Sequence, residues 1–302
     1  MMDKIKEIAI ISGKGGTGKT SVTAALSECA NPIVVADCDV DASNLPIILN
    51  PESEIKTEEY FGGFYATVDK ELCSSCGICE VTCRFDAIHF GSGDKPWDRY
   101  PDIHFYSCEG CGACVDVCPT GALKLLDRKS GALYESTMRY GPIVYAELDV
   151  GEGTSGKLVS LVRRRATEVA QNAGMGIVLI DGSPGIGCPV IASITGATAV
   201  AIVSEPSVSG LHDLDRISQL TNHFNIPAGL IINKHDLNPE MTKKMEEASL
   251  GKGIKVIGKI GYDRIWVDSM VQGKTVLEYT DNSGLRENIQ GIWTQISELA
   301  EL

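Results

Sequence analysis

Eight residues, Gly13-Lys14-Gly15-Gly16-Thr17-Gly18-Lys19-Thr20, constrain this 302-residue chain most. They fit G-x-x-x-x-G-K-[ST] and stand between an apolar run, Ile5 to Ser12, and a helical stretch reaching about Cys29. In that setting the glycines let backbone N–H groups curl around phosphate oxygens, with the positive end of the helix dipole behind them. By the same motif Lys19 reaches the β and γ phosphates and the Thr20 hydroxyl ligates magnesium. The next apolar run, Ile33 to Ala36, completes an opening βαβ unit.

Beyond about residue 130 the alternation resumes. Strands are expected at Ile143 to Leu148, Ile177 to Ile180, Ala199 to Val203 and Gly229 to Ile232, and helices over 155–172, 208–223 and 285–300. Each strand is a continuous apolar run, as in a parallel sheet covered on both faces. The last helix carries Leu285, Ile289, Ile292, Trp293, Ile296 and Leu299 on one stripe, so it reads as a core-packing helix.

Lys14, directly after the first glycine, makes the loop a deviant Walker A motif, K-G-G-x-G-K-[ST]. With it the chain resembles the MinD, ParA, Mrp and nitrogenase iron-protein family of ATPases. The resemblance implies ATP and Mg as ligands, Gly13 to Thr20 as the nucleotide loop, and an ATP-dependent homodimer in which Lys14 reaches the partner's nucleotide. It extends to Val34-Val35-Ala36-Asp37-Cys38-Asp39-Val40-Asp41, similar to switch I, where Asp39 would orient the attacking water; Asp37 and Asp41 carry no assigned role. It extends also to Ile177-Val178-Leu179-Ile180-Asp181-Gly182, similar to switch II, where Asp181 would hold Mg through water. An acid after a buried strand also serves as a helix cap. Ile231-Ile232-Asn233-Lys234 closes a strand where related ATPases read adenine with the Asn amide, although Asn is also common in turns.

Residues 64–127 differ in kind, carrying eight of the eleven cysteines. Cys73-x-x-Cys76-x-x-Cys79-x-x-x-Cys83 and Cys108-x-x-Cys111-x-x-Cys114-x-x-x-Cys118-Pro119 repeat one spacing, that of bacterial two-cluster ferredoxins. The resemblance implies one 4Fe-4S cluster on Cys73, Cys76, Cys79 and Cys118, and a second on Cys108, Cys111, Cys114 and Cys83. Arg84 stands where proline is usual, which removes no ligand. Zinc is the competing metal, but its sites use spaced pairs and leave the third cysteine of each run unexplained.

Cys29 and Cys38 read as small buried residues, and Cys188 falls in the switch II region, where the nitrogenase iron protein binds a cluster shared by two subunits. The five histidines lack metal spacing.

The expected fold is therefore α/β, a doubly wound and mostly parallel P-loop sheet in two parts, 1–63 and 128–302. A small α+β domain like a bacterial ferredoxin is inserted at 64–127. The expected function is a nucleotide-gated dimer that couples ATP hydrolysis to electron transfer through two 4Fe-4S clusters. One alternative is an iron–sulfur cluster carrier like Mrp, disfavoured by the lack of a later C-x-x-C. Another is a positioning or partitioning ATPase with structural or sensory clusters. A net charge of −13 disfavours nucleic acid and anionic membrane as partners. Ten acids against five bases over residues 64–127 would complement a basic redox protein. The opening residues do not read as a secretory signal and no long uncharged apolar stretch follows, so the expected location is cytoplasmic, where thiols stay reduced.

Overall fold

The computed structural model describes residues 4–52, 55–91, 100–153 and 156–302. In chain order it begins β1 (Lys6–Ser12), α1 (Lys19–Ala30), β2 (Val34–Asp37), α2 (Leu45–Leu49) and β3 (Lys56–Val68). There follow α3 (Ile78–Thr82), β4 (Ile88–Phe90), β5 (Pro101–Ile103), α4 (Ala113–Asp116), β6 (Leu123–Met138) and β7 (Gly141–Leu148). Next come α5 (Gly156–Ala173), β8 (Ile177–Pro184), α6 (Cys188–Ile194), β9 (Ala199–Ser204), α7 (Val208–His223) and β10 (Ala228–Asn233). The chain closes with α8 (Pro239–Leu250), β11 (Lys255–Ile260), α9 (Ile265–Val271), α10 (Val276–Tyr279) and α11 (Ser283–Ala300).

The chain divides into two compact units, one of residues 4–58, 133–147 and 156–302, the other of 59–132 and 148–153, within the described residues. The larger unit carries the strand order β11-β10-β9-β1-β8-β2-β7, and every pair from β11 to β7 is parallel. Ile8, Ala9, Ile10 and Ile11 of β1 are all fully buried, because helices cover both faces of a parallel sheet. β8 lies on one side of β1 and its successor β9 on the other, so the chain reverses direction across the sheet at β1. Ligands of open α/β sheets bind in the crevice that such a reversal opens at the carboxyl ends of the strands.

Helix α11 seals one face. Ile289, Ile292 and Ile296 are buried, while Leu285, Trp293 and Leu299 pack partly buried against the same core. The predicted strands and helices of this unit recur within a few residues, except that residue 155, the predicted start of one helix, lies outside the described residues. No helix among the described residues is long and apolar enough to cross a membrane.

The smaller unit has a two-stranded antiparallel sheet, β4 with β5, and the outer parts of the long neighbours β3 and β6. β5 ends at Ile103, and Phe105–Ser107 form a single 3-10 turn before Cys108. The core of this unit is small, formed by Ala66, Ala87, Ile88, Leu123 and the three cysteines Cys79, Cys108 and Cys114. A core of that size gives little stability by itself, and small units ordinarily add a metal or cross-link.

Candidate functional site

At the carboxyl end of β1 the glycine loop turns into α1 through Gly18, whose φ of 90° lies in the left-handed region. A Cβ there would stand 2.4 Å from the Asn233 amide nitrogen, and one at Gly13 would overlap the Asp213 side chain at 2.1 Å. Both positions need glycine on steric grounds.

Lys19 is 5% exposed at its side chain, with Nζ 2.8 Å from Asp181 Oδ2 and 3.6 Å from Asp39 Oδ2. Burial works to lower its pKa, yet the carboxylates of Asp181, Asp37 and Asp39 outweigh it and hold the ammonium above its ordinary range. Asp181 is fully buried at the end of β8 and accepts from Thr20 Oγ1 and from Thr23 Oγ1, each at 2.7 Å. The sequence reading missed Thr23, one helical turn after Thr20, although that spacing puts both hydroxyls on one face of α1.

Asp37 and Asp39 end β2 differently. Asp37 is fully buried and accepts from the Asp39 N–H (3.0 Å), the Ser43 hydroxyl (2.9 Å) and the Leu45 N–H (3.1 Å), so its carboxylate is spent on fixing the turn into α2. Burial first, and the Asp181 charge second, push it up. Asp39 faces the cleft with Asp41; burial raises its carboxyl and Lys19 opposes that rise. Three carboxylates around one ammonium leave excess negative charge, which suits a magnesium ion held by the Thr20 hydroxyl and, through water, Asp181.

The cleft holds about 1370 Å³, including space open to solvent. It is lined by the Gly15–Thr20 segment and also by Asn233, Tyr262, Trp266 and Met270. Asn233 Nδ2 donates to the Thr17 carbonyl at 2.7 Å, which ties the end of β10 to the glycine loop. The buried Thr17 hydroxyl has no partner, an orphaned polar group within the loop itself. Trp266 and Met270 were not legible as lining residues, because a helix after a strand end has no motif.

Lys14 does not point into this cleft. Its Nζ lies 2.5 Å from Glu205 Oε1 and donates to Ser209 Oγ at 3.1 Å, while Lys234 Nζ lies 3.3 Å from Glu205 Oε2. Burial opposes it, but these two ammonium groups hold the Glu205 carboxyl below its usual range.

In the smaller unit Cys73, Cys76, Cys79 and Cys118 line one cavity of about 310 Å³, including space open to solvent. The Cys79 thiol is raised by burial and by the neighbouring Cys76 and Cys73. Cys114 is pushed up to about 11 by burial, then by Cys108 and Cys111. Cys79, Cys108 and Cys114 share one small core, and Cys83 and Cys118 pack against it. Cys118 goes the other way: against burial, N–H groups at Leu123, Thr120 and Ala122 and the Thr120 hydroxyl lower it to about 7. Cys108 Sγ accepts from the Ala66 N–H at 3.4 Å. Among the described residues no three His, Cys, Asp or Glu side chains converge tightly enough to hold a single metal ion. A cubane spreads its thiolates over separate corner irons, and four soft donors around a cavity match that requirement.

The remaining cysteines lie elsewhere. Cys38 is fully buried, and Cys29, pushed up to about 11 chiefly by burial, packs against the core. Cys188 is exposed at the start of α6, in a groove with Lys157 and Arg164.

Comparison with known proteins agrees with the geometry of the cleft. The family model described as the CobQ/CobB/MinD/ParA nucleotide binding domain matches residues 8–276. The chain belongs to that family. Among similar proteins, "Uncharacterized protein MJ0578" of Methanocaldococcus jannaschii is 32% identical over 297 residues, covering 97% of each chain. "Uncharacterized ferredoxin MJ0199" of the same organism is 39% identical over 61 residues, which is 20% of this chain and 90% of that protein. Among solved structures, the septum site-determining protein MinD complexed with Mg-ADP from Pyrococcus horikoshii matches with a TM-score of 0.55, 16% identity and coverage of 98% of this chain and 97% of that one. At that identity the likeness is one of fold, and the CobQ/CobB/MinD/ParA fold is what the larger unit displays.

Proposed function

We propose that this protein is an ATP-hydrolysing electron carrier in which a nucleotide-gated homodimer times electron delivery through two 4Fe-4S clusters. The observation that carries the reading is the cavity at Cys73, Cys76, Cys79 and Cys118, where the fourth thiol comes from the other cysteine run. Such an exchange is the ligand plan of two-cluster ferredoxins, whereas two independent zinc sites have no use for it. The segment match to a ferredoxin supports it, as does the excess of ten acids over five bases in residues 64–127, which would complement a basic redox partner. Residues 64–127 are on this reading a ferredoxin-like insertion between ATPase parts 1–63 and 128–302, in a cytoplasmic protein.

When bound, the clusters supply one-electron exchange. The chain's own residues supply the gate. An incoming γ-phosphate competes with Asp181 and Asp39 for Lys19, so the ammonium turns to the phosphate and both carboxylates are released. Asp181 and Thr20 would then hold the magnesium, and Asp39 would orient the attacking water. Asn233 would set the base end of the cleft through its bond to the loop. The partner subunit's Lys14 would add positive charge to the transferred phosphoryl group. Anaerobic iron and sulfide analysis with EPR tests the cluster content: roughly eight irons per chain and two reduced cubane signals are expected. One metal ion per site, or zinc, overturns the reading.

A further inference from the structure

The smaller unit contains a buried guanidinium that nucleotide chemistry does not use. Arg128 on β6 is 8% exposed. One edge of its fork points at the second cysteine run: Nη1 donates to the Cys108 carbonyl at 2.8 Å and to the Phe105 carbonyl at 3.2 Å. Its Cζ lies 4.5 Å from the Phe105 ring centroid. The other edge faces Glu152 Oε1, with Nε at 2.7 Å and Nη2 at 2.5 Å. The Glu152 side chain is 11% exposed. The pair is thus a fixed dipole, positive end toward Cys108 and negative end away.

Nothing equivalent is described beside the first run. Among the described residues, the bases nearest to it in sequence are Lys70 and Arg84. Lys70 holds its ammonium 4.0 Å over the Tyr100 ring, and Arg84 is exposed. Water screens charges in such positions, but it screens a buried pair far less.

We propose that the Arg128–Glu152 pair sets the potential of the cluster on Cys83, Cys108, Cys111 and Cys114 apart from that of its neighbour, Arg128 favouring the reduced state and Glu152 offsetting it. The inference rests on the reading that both cysteine runs hold cubanes. Reduction adds one electron, and so one negative charge, to a cluster. A cation next to a ligand's own peptide stabilises that added charge and raises the potential. Glu152 is farther from Cys108 than the guanidinium between them, so the positive end dominates. An electron entering the pair of clusters rests on the Cys108 side. Arg128 and Glu152 are positioning residues in this account, since neither ligates iron.

The test is an anaerobic redox titration of the full-length holoprotein, with dithionite as electron donor and EPR as readout. Wild type is compared with Arg128→Met, Arg128→Lys and Glu152→Gln. Arg128→Met should lower the potential of one cluster by about tenfold in the reduction equilibrium, or about 59 mV for one electron, and Glu152→Gln should raise that of the same cluster by less. Arg128→Lys should stay close to wild type, and the second cluster should not move. Opposite shifts from the two ends of one ion pair are not the signature of a merely structural contact. Shifts of the same sign, no shift, or equal shifts of both clusters overturn the proposal while leaving the cluster reading intact. A wild-type protein without cubanes overturns both. Should Arg128→Met fail to fold, the direction of the Glu152→Gln shift decides.

Discussion

Lys14 is held by Glu205 of its own chain, Nζ to Oε1 at 2.5 Å, on the rim of the nucleotide cleft. A lysine that must reach a partner's nucleotide has first to leave this contact. The pair is about one-third exposed on the lysine side, so water limits its strength to about 0.2–1 kcal/mol. Glu205→Gln should therefore raise the ATP-dependent dimer fraction, by up to about fivefold for each Lys14 released and so up to about thirtyfold in the dimer equilibrium, where both are released. Sedimentation at several protein concentrations with ATP checks this; an unchanged dimer constant would count against the role of Lys14 in the partner's site.

Asp39 lies 3.6 Å from Lys19 and faces the cleft, whereas Asp37 is consumed by the backbone of the next turn. Asp39→Asn should lower ATP hydrolysis on the order of 10²–10³-fold while nucleotide binding persists, because the amide cannot orient or accept from the attacking water. Phosphate release and equilibrium binding of a fluorescent ATP analogue separate the two effects. Retained hydrolysis would remove Asp39 from the mechanism.

Much of this was legible because some chemistry tolerates few spacings. The glycine loop, the two acids at strand ends and the double cysteine run each need particular residues at particular intervals, and the structure lines one cleft with Lys19, Thr20 and Asp39 and buries Asp181 against Lys19 and Thr20. The strands of the parallel core were legible as unbroken apolar runs. β3 and β6 were not, since their outer parts are half exposed and mix Lys, Glu and Gly with apolar residues. Glu205 and Trp266 carry no local signal at all; their place depends on which strand ends the fold brings together.

Cys111 is exposed and Cys114 buried, so the two thiols separate ligation from packing. Cys111→Ser should reduce iron from roughly eight to roughly four per chain with the fold of the larger unit intact. Cys188→Ser should leave iron unchanged, since Cys188 lies on α6, away from both cysteine runs in sequence. Iron analysis with circular dichroism reads both, and a loss of iron from Cys188→Ser would restore a shared cluster at the subunit boundary.

Glu278 anchors α10 in the larger unit. It accepts from the Thr275 N–H at 2.9 Å and pairs with Arg139 Nε at 2.7 Å, and Tyr140 Oη donates to it at 2.5 Å. Burial works against it, but these partners hold its carboxyl below the usual range. A carboxyl lowered on folding stabilises the protein fully above its unfolded pKa of about 4.3, and that contribution disappears as pH falls through the folded value. Glu278→Gln should cost about 1–3 kcal/mol at pH 7. The difference from wild type should shrink as pH falls below about 4. Urea unfolding across that range measures it, and a pH-independent difference would assign the effect to packing.

On the proposed reading, nucleotide state controls electron delivery. Its most direct test is the rate at which the dithionite-reduced holoprotein passes electrons to an external acceptor, measured by stopped flow with ATP, with ADP and for Asp39→Asn. The rate should differ between ATP and ADP in wild type, and Asp39→Asn should stay at its ATP-bound rate. Equal rates in all three conditions would contradict it.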